Sequence, residues 1–163
     1  MLLRWPSAAL AAMLVAGLTT GMQAEARDYV VNSVHIASAW SRATAAPGSS
    51  AVGYMSISNE GSVPDRLVSA VCPVATSTEL HADTNVNGVM RMRPITDIPI
   101  APGQTVKLTP GGMHLMLMGT NKRLVRGSTI ACTLTFQNAG PVDIELLVRS
   151  AGATETLMGP MEK

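Results

Sequence analysis

Thr129-Ile130-Ala131-Cys132-Thr133-Leu134-Thr135-Phe136-Gln137 is followed by Asn138-Ala139-Gly140-Pro141, and residues 142–148 then alternate again. Polar and apolar residues take turns on both sides of a turn signal, the pattern of two strands joined by a hairpin. Ile130, Cys132, Leu134 and Phe136 share the apolar face, because successive side chains in a strand point to opposite sides. The same pattern recurs outward from this pair, and helical periodicity is hard to find after residue 27. Residues 30–36 read as a first strand, with Val34 and Ile36 inward and His35 solvated beside Ser33. Further strands are expected at 52–58, 66–72 (ended by Pro73), 76–81, 89–93, 106–108 and 114–118. Between them lie a loop at 44–50, a turn at 59–62, a polar loop at 83–88, a turn-rich connector at 98–103 and a tight turn at 110–112. Short strands at this spacing predict an all-β domain, an antiparallel sandwich or barrel.

The first 26 residues read as a cleavable signal peptide: Arg4, an apolar run at 8–18, then the small-x-small site Ala24-Glu25-Ala26. That run is shorter than the roughly 20 apolar residues of a membrane span, so no stable membrane insertion is expected after cleavage. A β-domain over residues 27–149 and a flexible C-terminal tail over 150–163 complete the organisation, with Met158 and Met161 in the tail. The formal charge is +1 with no basic stripe, which recommends no nucleic acid partner. Export implies an oxidising compartment. Cys72 and Cys132 fit either a buried inter-sheet disulfide or two separately buried thiols. No Trp lies between them, so an immunoglobulin-type arrangement does not fit.

Two segments concentrate unusual chemistry. Residues 80–92 and 112–118 hold two of the three histidines and five of the eleven methionines. Strand alternation puts His114, Met116 and Met118 on one face, with Leu115 and Leu117 on the other. Met90 and Met92 likewise share a face, opposite Arg91 and Arg93. Imidazole with thioether is a soft, uncharged donor set that favours Cu(I). The plainer reading is that these methionines fill an apolar core, as flexible thioethers commonly do. The residues alone leave both open.

At these residues the chain resembles the periplasmic PCu(A)C-type copper(I) chaperones. The motif of that family is His, ten residues, Met, twenty-one residues, His, one residue, Met. His81, Met92, His114 and Met116 match it in identity and spacing. Flanking landmarks agree: residues 39–44 (Ala39-Trp40-Ser41-Arg42-Ala43-Thr44), Tyr54, Asn59, Asp65-Arg66-Leu67, Glu79-Leu80-His81 and Gly111-Gly112-Met113-His114. Ala82 stands where some members carry a further Met. The resemblance spans about residues 28–149. It implies a cupredoxin-like β-sandwich, Cu(I) as cargo, and His81, Met92, His114 and Met116 as its ligands. Exposed ligands contribute little to a core, so removing any of the four is expected to leave the fold intact. The resemblance also implies a monomeric periplasmic metallochaperone that passes copper to an oxidase subunit, namely the dinuclear copper centre of cytochrome c oxidase, beside a thioredoxin-like assembly protein. Met90 and Met118 fall outside the motif.

Rival functions follow from the same residues. No Ser/His/Asp or Cys/His constellation and no flanking carboxylate pair recommends an enzyme. A blue-copper electron carrier needs a Cys ligand with two His and a weak axial Met, and neither cysteine accompanies the ligand strands. Periplasmic copper storage or resistance buffering would use the same four ligands, and a metal-free structural domain would use none.

Overall fold

A computed structural model describes residues 27–154; the expected signal peptide and residues 155–163 lie outside the described residues. The described chain is all β, without helix. Its strands are β1 Tyr29–Val31, β2 Val34–Arg42, β3 Ala51–Asn59, β4 Asp65–Val71, β5 Ala75–Val86 and β6 Val89–Pro94, then β7 Ile98–Ile100, β8 Thr105–Leu108, β9 Met113–Thr120, β10 Thr129–Phe136 and β11 Gly140–Arg149. One hydrogen-bonded path runs β6-β5-β9-β3-β2-β11-β10-β4-β7, with β1 on β2 and β8 on β3. The path does not close, and its inner faces share one core. Ile36, Ile57, Leu67, Leu115, Leu117, Leu134, Phe136, Ile144 and Leu146 are buried in a single cluster. Among the described residues no helix is long and apolar enough to cross a membrane.

Four local expectations are corrected. Residues 30–36 are not one strand: Asn32 takes positive φ and turns the chain between β1 and β2. Residues 83–86 are strand rather than loop, because the true turn is Asn87-Gly88, both at positive φ. Asn-Gly is the pair that a two-residue hairpin of this twist favours. Ile98-Pro99-Ile100 inside the connector is β7, an edge strand on β4, where a proline costs no ladder bond. The pairing is also not wholly antiparallel, since β11 runs parallel to β2 from Leu147↔Trp40 to Arg149↔Arg42.

A bulge in β2 decides which side chains reach the outer face of the sheet. The pairing to β3 shifts between Ala37 and Trp40, and Ser38 takes a φ of 55°. One extra residue reverses the alternation downstream. Val34 and Ile36 therefore enter the core, whereas Trp40 emerges on the opposite face against Tyr54. Gly53 beside it fits closely over the core: a Cβ there would sit 3.1 Å from a Leu146 methyl and 3.3 Å from Leu115 Cβ.

Two devices fasten the sheet. Cys72 and Cys132 form a disulfide. It extends the β4–β10 ladder by one rung beyond Val71↔Thr133, so it links neighbouring strands rather than opposing layers. The second is Asp65. Its Oδ1 accepts the backbone N–H of Arg66 (2.7 Å) and Asn138 (2.9 Å), and its Oδ2 that of Ala139 (2.9 Å). Burial pushes this carboxyl up, but the backbone donors outweigh it and hold the group below its ordinary value. Its folded pKa is depressed, so its stabilisation is present above the unfolded value of 3.8 and is lost as pH falls through the folded one. Asp65→Asn should destabilise the fold by about 2 kcal/mol at neutral pH, given the strength of hydrogen bonds to charged groups. In denaturant titrations the gap to wild type should shrink below the unfolded value. A gap that is absent at neutral pH would contradict this role.

Candidate metal centre

Strands β5 and β9 pair in a register that sets Leu80 opposite Leu115 and His81 opposite His114. The leucines are buried in the core, so alternation sends both imidazoles to the other side of the sheet. The rings face each other across the strands with centroids 5.9 Å apart. Tyr54 follows on β3, its ring edge-on to His114 at 6.4 Å, and Trp40 on β2 lies 4.6 Å from Tyr54. Pro94 on β6 stands opposite His81. A transverse row thus crosses five strands: Pro94, His81, His114, Tyr54, Trp40.

The Trp40–Tyr54 end of this row is covered. Ala153 packs on Trp40 and Tyr54, and the Arg42 guanidinium donates two hydrogen bonds to the Ala153 carbonyl at 3.1 and 2.9 Å. The start of the expected tail is therefore docked at Ala153. Arg42 also lies over the Tyr54 ring at 5.6 Å, and Arg149 over Trp40 at 5.2 Å. Burial raises the Tyr54 phenol above its ordinary pKa; Arg42 opposes the rise and Asp83 adds to it. The expectation of surface ligands is corrected for the histidines: His114 is 2 % exposed and His81 9 %.

Each imidazole has one occupied and one unoccupied nitrogen. His114 Nδ1 is 3.1 Å from the Gly112 carbonyl, and His81 Nε2 is 2.9 Å from Glu79 Oε2. Carbonyl and carboxylate only accept, so these two nitrogens carry the protons. The remaining His114 Nε2 and His81 Nδ1 are buried and have no hydrogen-bond partner. In a neutral imidazole this is the nitrogen that offers its lone pair to a metal. A carboxylate or backbone carbonyl behind an imidazole is how metal-ligating histidines are fixed in tautomer and orientation.

The motif methionines flank this pair from opposite sides. Met116 stands opposite Glu79 on the β5–β9 ladder, and Met92 opposite Asp83 on β5–β6. Both are diagonal neighbours of His81, a separation of roughly 7–8 Å that long side chains can span. Met116 is half-buried, whereas Met92 is 47 % exposed on the edge strand. His81, His114 and Met116 are thus brought together on the sheet, with Met92 at the rim. Among the described residues no group of three or more His, Cys, Asp and Glu could hold a harder ion. Glu79, Tyr54 and Trp40 join the site without having been expected there from sequence. Glu79 could have been found, since it sits two residues before His81 on the same strand face. Trp40 could not, because the bulge sets its direction.

Known proteins share this architecture. A family profile described as "Putative lipoprotein LpqE-like" matches residues 34–148. A protein of Leifsonia xyli subsp. xyli, also described as a "Putative lipoprotein", is 32% identical over 143 residues, 86% of this chain and 81% of its own. The copper-bound PCuAC domain from PmoF2 superposes with a TM-score of 0.65 at 27% identity, covering 76% of this chain and 98% of that one. A Cu(I)-bound protein of Deinococcus radiodurans, solved in solution, superposes at 0.50 with 28% identity over 79% of this chain and 85% of its own.

The tautomers are directly measurable. Long-range 1H–15N NMR on the metal-free domain should report His81 protonated at Nε2 and His114 at Nδ1, and Glu79→Gln should disturb His81 alone. The opposite tautomer at either ring would contradict the hydrogen bonds to Glu79 and Gly112. With the match covering most of the chain and the cupredoxin-like fold in hand, the chain belongs to the LpqE-like family, and its PCu(A)C-type resemblance holds.

Proposed function

We propose that this protein is an exported Cu(I) metallochaperone, with one Cu(I) held by His81, Met92, His114 and Met116. The observation that carries the reading is a pair of buried, unpartnered imidazole nitrogens on rings 5.9 Å apart, with Met116 on the same face of the sheet. An unsatisfied buried polar atom costs about 1–3 kcal/mol, and a soft cation bound there would relieve both at once. The copper-bound PCuAC domain and the Cu(I) protein of similar fold support the choice of metal. Two lipoprotein names among the matches support export.

The donor set suits carriage. Neutral imidazoles and thioethers hold Cu(I) without offsetting its charge, so an anionic dithiolate should outcompete them. Methionine also does not form disulfides in an oxidising compartment, whereas a cysteine site would. A blue-copper reading lacks its thiolate, because both cysteines are joined to each other. The chain is then a carrier rather than a catalyst. We place it in the periplasm, delivering copper to the dinuclear copper centre of cytochrome c oxidase alongside a thioredoxin-like assembly protein, as the resemblance implies.

Cu(I) competition against a chromophoric chelator tests the site. His81→Ala, His114→Ala and Met116→Ala should each lose more than the 10–100-fold typical of changes behind the ligands, while Glu79→Gln should fall within about that range. Wild-type affinity in both histidine variants would refute the ligand set. For the destination, a deletion strain should lose oxidase activity without becoming copper-sensitive. The reverse phenotype would favour storage.

A further inference from the structure

The register of β6, β5 and β9 continues the thioethers past the four motif residues. On β6, Met90 stands opposite Asn85 and Met92 opposite Asp83; on β9, Met116 stands opposite Glu79 and Met118 opposite Ser77. Asn85, Asp83, His81, Glu79 and Ser77 are alternate residues of β5, so all these partners lie on the face of the histidine pair. Read along β5, the order is Met90, Met92, the two histidines, Met116, Met118. Successive steps are two residues, roughly 7 Å. Asp83 and Glu79 place a carboxylate beside each inner methionine, which suits a cationic traveller.

The two ends of this track differ. Met118 is half-buried in the body of the sheet. Met90 is 55 % exposed on the β5–β6 hairpin, at the free edge of the sheet and two residues past the turn at Asn87-Gly88. An apolar side chain this exposed contributes little to the core, so packing does not account for its place. From this placement, and resting on the Cu(I) reading of the site, we propose that Met90 is the transfer ligand of the hairpin. It takes Cu(I) from the site when an acceptor docks, and it belongs to the path rather than to the resting site.

The step is a ligand exchange. The Met90 sulfur bonds to copper while Met92 still holds it, the bonds to His81, His114 and Met116 break, and an acceptor thiolate then displaces the two thioethers. Copper stays monovalent and no electron moves. The imidazole nitrogens that release it regain their bare lone pairs, so no proton is needed.

The test compares wild type with Met90→Leu, an exchange that keeps size and removes the sulfur. Cu(I)-loaded mature domain is mixed with a reduced CxxxC peptide, and transfer is followed by stopped flow beside the equilibrium competition. Met90→Leu should keep the wild-type affinity and slow transfer by about tenfold, while Met118→Leu should alter neither. An unchanged rate in Met90→Leu would overturn the proposal. So would a weakened equilibrium affinity, since Met90 would then be a resting ligand, and so would equal slowing in Met118→Leu. Failure of the wild type to bind Cu(I) in the same competition would instead remove the function on which the relay depends.

Discussion

Everything distinctive in this molecule depends on the β5–β9 ladder, where one register serves two opposed demands. Leu80 and Leu115 must be buried together, and strand alternation then obliges His81 and His114 to meet on the other side of the same two strands. A slip of one residue would exchange them, putting imidazoles in the core and leucines outside. The core therefore enforces the site. Apolar burial at roughly 25 cal/mol per Å² fixes the register, and the polar pair is positioned as its consequence, without any contact between the two rings having to be favourable.

The pair is costly in isolation. Two buried ring nitrogens lack partners, while the other two are tied to Glu79 and Gly112. Sheets seldom bury polar atoms unsatisfied, and here the surroundings maintain the arrangement. Tyr54 and Trp40 wall one side, and Arg42 holds the segment carrying Ala153 over them. The opposite side is open at the edge strand β6, where Met92 and Met90 are exposed. A histidine pair tied from behind by Glu79 and Gly112 thus stands beside exposed thioethers. The histidines and Met116 are set by the sheet, and the hairpin that carries Met92 faces solvent.

How much of this was legible in the sequence depended on what fixed each feature. Alternation in residues 129–148 revealed a hairpin because one face is buried along its whole length. The four motif residues were legible through the spacing of the family they resemble, and the shared face of His114 and Met116 through the period of two; that His81 and Met92 join that face follows from the register of β5 with β6 and β9. The bulge at Ser38 was not, since a serine at positive φ leaves no compositional trace; with it went the direction of Trp40. The Asn87-Gly88 turn is a standard hairpin signal, but it sits inside a longer polar stretch whose composition masks the last residues of β5. The burial of His81 and His114 was hidden for a related reason. Tyr54 packs edge-on to His114, and Trp40 and Ala153 pack on Tyr54, neighbours that meet only in the fold. The disulfide stayed open because spacing cannot show that Cys72 and Cys132 occupy adjoining rungs of one ladder.

The central claim is that two imidazoles and two thioethers share one Cu(I). Copper K-edge X-ray absorption of the mature domain loaded with one equivalent of Cu(I) measures that donor set directly. The expected result is a monovalent edge and a first shell containing both nitrogen and sulfur, with imidazole multiple scattering lost in a His81→Ala, His114→Ala double variant. A shell of sulfur alone, or an imidazole signal that survives the double substitution, would contradict it.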